Sequence, residues 1–67
     1  MATLAEELPS EMERVRQVLK RYKALGPAGR FGAIMINHSL REAEKAIANG
    51  DVVAMMRAYR DLQAFRD

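Results

Sequence analysis

The chain has 67 residues and a net charge of +2, and its 49% hydrophobic and 30% charged residues are typical of one globular domain, not of a disordered chain. A core this small rarely supplies more than about 3–5 kcal/mol of folding free energy. The chain has no cysteine and one histidine, which excludes disulfides and Cys- or His-rich metal sites. Self-association is therefore the expected way to add stability. The first residues are acidic and no apolar run reaches about 18 residues, so we expect no signal peptide, no membrane span and a cytoplasmic protein.

A first helix is predicted over residues 10–25. Apolar residues recur every three or four positions, which is a helical period: Leu4, Leu8, Met12, Val15, Leu19, Tyr22 and Leu25. Pro9 is tolerated only in a first turn, and Ser10 followed by Glu13 fits a capping box, so we start the helix at Ser10. Residues 1–9 are expected to form a tail or an extra turn, although Leu4 and Leu8 fit the apolar stripe.

A second helix is predicted over residues 29–49. Gly26-Pro27 ends the first one, because glycine suits a left-handed C-cap and the proline after it does not continue a helix. The second helix carries two adjacent apolar stripes: Ile36, Leu40, Ala43 and Ile47 in one, and Phe31, Ile34, Met35 and His38 in the other. A helix that is apolar around most of its circumference is buried on more than one side, so we expect a second copy of the chain to cover the second stripe.

A third helix is predicted over residues 52–66, because Asn49-Gly50-Asp51 offers a C-cap followed by an N-cap. The short connection makes the second and third helices antiparallel neighbours. The expected fold is all-α: a three-helix chain built on a helical hairpin, with one domain over residues 10–67, forming a homodimeric bundle. Met55 and Met56 cannot both face one narrow core. Either they belong to an adaptable binding surface, or one fills a core gap and the other lies in a dimer seam.

The residue pattern offers no catalytic constellation, and we expect no enzyme activity, cofactor or metal. His38 and Ser39 are adjacent on a helix, where side chains point about 100° apart and do not form a nucleophile–base pair. One basic region remains on the first helix, formed by Arg16, Lys20 and Lys23 on one face with Arg21 beside them. This region is either a solvated face or a phosphate-binding one. Base-reading polar residues are missing from the start of the third helix, which makes DNA binding the weaker interpretation.

Three segments of the chain carry a resemblance to a known group of proteins. Residues 24–36 contain the run Gly-Pro-Ala-Gly-x-Phe-Gly, residues 43–47 read Ala-Glu-Lys-Ala-Ile, and residues 50–54 read Gly-Asp-Val-Val-Ala. Over roughly residues 20–62, the chain resembles small proteins encoded by Mu-like phages of Pseudomonas and its relatives. That group includes the phage anti-quorum-sensing anti-activator.

The resemblance implies a helical homodimer, made early in infection, that binds host proteins and inhibits them by covering a surface they need. The implied targets are a quorum-sensing transcription activator and components of type IV pilus assembly. The expected contact residues flank the distinctive run: Arg30, Phe31, Ile34, Met35 and His38. Lys20, Arg21 and Lys23 would either meet an acidic partner surface or imitate or block a DNA-facing patch. The alternatives are a small DNA-binding regulator that uses the basic face of the first helix, and a structural dimerisation module.

Overall fold

The computed structural model describes residues 3–66, which form three α-helices and no strand. The helices are α1 (Leu4–Ala24), α2 (Arg30–Asn49) and α3 (Val52–Gln63), and a single turn of 3₁₀ helix, Gly26–Gly29, joins α1 to α2. The all-α prediction is therefore confirmed. The second helix begins one residue later than expected, because Gly29 closes the 3₁₀ turn, and the third ends at Gln63 and not at residue 66.

The predicted start of the first helix at Ser10 is wrong, because α1 begins at Leu4 and the Ser10–Glu13 capping box lies inside it. The N-cap is Thr3, whose carbonyl accepts from the backbone N–H groups of Glu6 and Glu7 at 3.0 and 2.8 Å. Leu8 is fully buried, which is worth about 1.5–3 kcal/mol and offsets the backbone bond that Pro9 omits. Residues 1 and 2 of the expected tail, and residue 67, lie outside the described residues.

All three helices contribute to one apolar core. α1 supplies most of the bulk, with Leu8, Met12, Val15, Val18 and Leu19. α2 and α3 supply Ile36, Leu40, Ala43, Ala58 and Leu62. Small residues on α2 and α3 let those helices approach closely, and the structure buries no polar or charged residue within 3–66. Leu25 and Ile47, which were expected to continue the apolar stripes, are exposed.

The junction between α1 and α2 depends on two glycines that lie against Tyr22. A β-carbon on Gly29 would meet the backbone carbonyl of Tyr22, and a β-carbon on Gly32 would meet the edge of the Tyr22 ring. Gly26 has φ +65°, the left-handed conformation predicted for it, but a β-carbon there would have nothing within 4 Å. Gly29 and Gly32 are therefore required for space, whereas Gly26 is required for its backbone conformation.

Arg14 holds the end of α3 against α1, a contact that sequence reasoning missed. Its guanidinium donates to the carbonyl oxygens of Leu62 at 3.0 Å and Phe65 at 2.9 Å. The Leu62 carbonyl also accepts from the backbone N–H of Phe65 at 3.1 Å, and a cation beside these carbonyl groups at the end of α3 complements the helix dipole. Glu11 also bonds the same guanidinium and keeps it in place.

The connection between α2 and α3 confirms the predicted caps. Gly50 has φ +63°, and the Asp51 side chain accepts from the backbone N–H of Ala54 at 3.1 Å. Asp51→Ala should lower the free energy of unfolding by about 1 kcal/mol, because one N–H group at the start of α3 loses its partner. Urea denaturation measures the change. Asp61→Ala is the matched control, since Asp61 is exposed in the last turn of α3, away from the cap, and should change stability by less than about 0.5 kcal/mol.

Candidate interaction surfaces

The outer side of the first half of α2 is an exposed apolar surface. Phe31, Ile34, Met35 and His38 lie there at helical spacing, opposite the buried residues Ile36 and Leu40; we call these four residues the α2 face. Phe31 is 76% exposed and Ile34 57%, which are high values for large apolar side chains. The structure therefore places together four of the five residues expected to form contacts beside the glycine-rich run, and leaves them uncovered.

Charged groups border the α2 face but do not interrupt it. Arg30 precedes it at the start of the helix. One turn beyond His38, the same side of α2 becomes polar and carries Glu42 and Lys45, whose side chains form an ion pair at 3.9 Å. The apolar surface is thus limited to about two turns of helix. A surface of this kind, apolar in its centre and charged at its rim, is typical of protein–protein contacts.

A second exposed surface runs along the outer side of α3. Val53, Met56, Arg57 and Arg60 line an open depression of about 350 Å³; we call these four residues the α3 stripe. Met55 points the other way and packs against the core, whereas Met56 is 58% exposed. The two adjacent methionines therefore have separate roles, one filling the core and the other lying on the surface.

The expected basic face of α1 is partly neutralised and divided. Arg16 lies 3.5 Å from a carboxylate oxygen of Glu13 and 3.7 Å from one of Glu44, which ties it to α2. Lys20 and Lys23 are exposed, and Arg21 lies about 100° around the helix from Lys20.

Lys23 shares a cleft with Arg30, at the junction of α1 and α2. This cleft of about 340 Å³ is also lined by Gly26, Pro27 and Ala33. The sequence assigned Lys23 to the basic face of the first helix and Arg30 to the contact residues beside the glycine-rich run. The 3₁₀ turn between α1 and α2 brings these two side chains to the same cleft.

Four exposed large apolar residues within 3–66 were absent from the expected contact set: Leu25, Ile47, Val52 and Val53. Leu25 follows the last residue of α1. Because the helix ends at Ala24, the Leu25 side chain does not continue the buried side of α1. Val53 falls seven residues before Arg60 and three before Met56, and this spacing alone would have grouped it with Met56.

Residues 3–66 contain no group of three or more His, Cys, Asp or Glu side chains that could hold a metal ion. No helix in this part of the chain is long and apolar enough to cross a membrane. Comparison with protein families, curated proteins and solved structures finds no match to the chain.

Proposed function

We propose that this chain is a phage-encoded helical protein that binds a host regulatory or motor protein and inhibits it by covering a surface that the host protein needs. The observation that carries the proposal is the exposure of eight large hydrophobic side chains within residues 3–66, three of which lie together on the α2 face. Contiguous apolar surface of this kind marks sites of contact with other proteins. The proposed action needs no catalytic step and takes place in the host cytoplasm.

Self-association through the α2 face is part of the proposal. In a two-fold symmetric contact, the same patch meets itself, so a patch without charge at its centre is well suited to it. The α2 face consists of Phe31, Ile34, Met35 and His38 and has no formal charge if the histidine is neutral. Covering it would also add buried apolar area to a core that is small for a free-standing domain.

The nature of the host target is proposed from the resemblance of residues 20–62 to the phage group. The candidates are a quorum-sensing transcription activator and a component of type IV pilus assembly. Both are proteins that act through contacts with other macromolecules, so a tightly bound small chain would inhibit either one without chemistry. Outside the α2 face, exposed apolar side chains near the α2–α3 turn supply contact surface beyond that used for self-association: Ile47, Val52 and Val53.

Affinity capture from a Pseudomonas lysate tests this function. The tagged chain should retain a host protein in stoichiometric amount under mild conditions, and the purified host protein should lose activity as the chain is added. Lys45→Gln is the control, because Lys45 lies on the polar half of α2 and its replacement should leave capture unchanged. Absence of any stoichiometric protein partner would contradict the proposal.

The DNA-binding alternative has one supporting observation, the convergence of Lys23 and Arg30 on one cleft. It has less support than protein binding, because Arg16 is already paired with two carboxylates and α3 begins with two exposed valines. Binding to duplex DNA that weakens steeply with salt would favour this alternative, and no binding at low salt would remove it. A purely structural dimerisation module would use the same α2 face and would be found in purified phage particles.

A further inference from the structure

We infer that the α3 stripe is the docking site for an acidic amphipathic segment of the partner protein, an inference that rests on the proposed function. Val53, Met56, Arg57 and Arg60 follow the spacing i, i+3, i+4, i+7, which places them on one side of α3. The apolar pair and the two arginines line the same depression. An amphipathic segment would insert its apolar side chains there and set its carboxylates against the arginines.

The two arginines of the stripe are available to a partner. Within residues 3–66, neither Arg57 nor Arg60 forms a hydrogen bond or an ion pair, in contrast to Arg14 and Arg16. Arg60 has no acidic residue three or four positions away on its own helix. A guanidinium presents a planar fork of donors that matches a carboxylate in two parallel hydrogen bonds. Unpaired arginines beside exposed Met56 therefore select a partner that carries both carboxylates and apolar side chains.

A second copy of the chain is a poor occupant of the α3 stripe. A two-fold contact centred there would set the pair Arg57 and Arg60 against the same pair of the second copy, and like charges in contact are unfavourable. The α2 face has no such conflict. The centre of the α2 face lies about ten residues further from the α2–α3 turn than the centre of the α3 stripe, which at 1.5 Å per residue is roughly 15 Å along the hairpin. The two surfaces therefore consist of different residues on different helices.

A membrane surface is also a poorer occupant. Surface-binding helices insert aromatic or bulky apolar residues along most of their length. The stripe offers only Val53 and Met56, and the one strongly exposed phenylalanine, Phe31, lies on α2. A protein segment needs only a small apolar anchor if its carboxylates are held by the arginines.

The test uses the full chain and two synthetic 18-residue helical peptides. Both carry leucine at i, i+3, i+4 and i+7; one has glutamate at the flanking positions and the other glutamine. The glutamate peptide should bind at least about tenfold more tightly in fluorescence anisotropy, the effect of one or two charge-assisted hydrogen bonds. It should shift amide resonances of Val53, Met56 and Arg60 in NMR spectra.

Charge reversal provides the matched controls. The double variant Arg57→Glu/Arg60→Glu should bind the glutamate peptide at least about tenfold more weakly than the original chain does. Arg41→Glu/Arg66→Glu makes the same change in net charge at exposed residues elsewhere and should bind within about twofold of the original chain. Circular dichroism should show the same helix content for both variants as for the original chain.

Several outcomes would overturn the inference. Equal affinity for the two peptides, equal losses in the two double variants, or shifts confined to the α2 face would each do so. Preferential binding to vesicles of phosphatidylglycerol would assign the stripe to membranes, and loss of self-association in Arg57→Glu/Arg60→Glu would assign it to a second copy. The peptides need no host protein, so failure here is distinct from failure of the proposed function. A host protein captured equally well by Arg57→Glu/Arg60→Glu would leave the function standing and reject the docking site.

Discussion

Gly29→Ala should lower the free energy of unfolding by about 3 kcal/mol, at the upper end of the range for inserting one carbon into a packed site. The new β-carbon would collide with the backbone carbonyl of Tyr22, whose carbon atom lies 2.8 Å from the β-carbon position. Backbone has no alternative rotamer, so α1 and the start of α2 must separate. A core of this size supplies only about 3–5 kcal/mol, so the variant should be close to unfolded at 25 °C.

Gly32→Ala should also destabilise the chain, by about 2 kcal/mol, but for a different reason. Its β-carbon would meet the ring of Tyr22 and not the backbone. In a Tyr22→Ala background the obstruction disappears, so the further cost of Gly32→Ala should largely vanish, whereas the cost of Gly29→Ala should remain. A double-mutant cycle measured by urea denaturation at one protein concentration separates the two cases.

Gly26→Ala is the matched control for both variants. Nothing lies within 4 Å of its β-carbon position, so only the left-handed backbone, at φ +65°, opposes the substitution. The expected loss is about 1–2 kcal/mol and should be independent of Tyr22. If Gly29→Ala were no more damaging than Gly26→Ala, the close contact between α1 and the 3₁₀ turn would not exist in solution.

Ile34→Glu should abolish the proposed self-association without unfolding the chain. Ile34 is 57% exposed on the side of α2 opposite the core, and glutamate is a good helix former, so the fold of one chain should survive. A carboxylate without a partner in an apolar contact costs about 3 kcal/mol or more, which weakens association at least about a hundredfold. Sedimentation equilibrium measures the association, and circular dichroism measures the helix content.

Arg41→Glu is the control for Ile34→Glu, because it changes charge on the polar half of the same helix. It should leave both the mass in solution and the helix content unchanged. Loss of helix in monomeric Ile34→Glu would mean that the α2 face belongs to the core of a single chain. Unchanged association would mean that the α2 face is not the contact between copies.

Local chemistry explains what the sequence predicted correctly. The ends of α1 and α2 follow from Gly26-Pro27 and Gly50. Gly26 and Gly50 have φ values of +65° and +63°, a conformation that glycine adopts without help from residues far away in the chain. The cap at Asp51 is equally local. The two apolar stripes of α2 were also readable from spacing, and the structure buries most of one and exposes the other.

The failures involve contacts between residues far apart in the chain. The Ser10–Glu13 capping box is a valid local pattern, but burial of Leu8 against the other helices favours extending α1 through Pro9. Arg14 bonds carbonyl groups 48 and 51 residues further along the chain, a pairing that no local pattern reveals. Arg16 and Glu44 lie on different helices, so the neutralisation of the basic face became visible only in the packed structure.

The orientation of Met55 and Met56 was within reach of the sequence. Met55 lies three, four and seven residues before Ala58, Tyr59 and Leu62, all of which contact the core. Met56 shares its side of the helix with Val53 and Arg60. Periodicity therefore assigns Met55 to the core. The charge around exposed Met56 was not readable in the same way, because it depends on which arginines the fold leaves unpaired.

Sedimentation equilibrium of the unmutated chain at micromolar concentration tests the central claim most directly, that an apolar surface of this chain is covered by another protein chain. We expect a mass of about twice that of one chain, since the α2 face leaves Phe31 and Ile34 exposed in the single chain. A stable monomer across the micromolar range, with Phe31 and Ile34 still open to solvent, would contradict it.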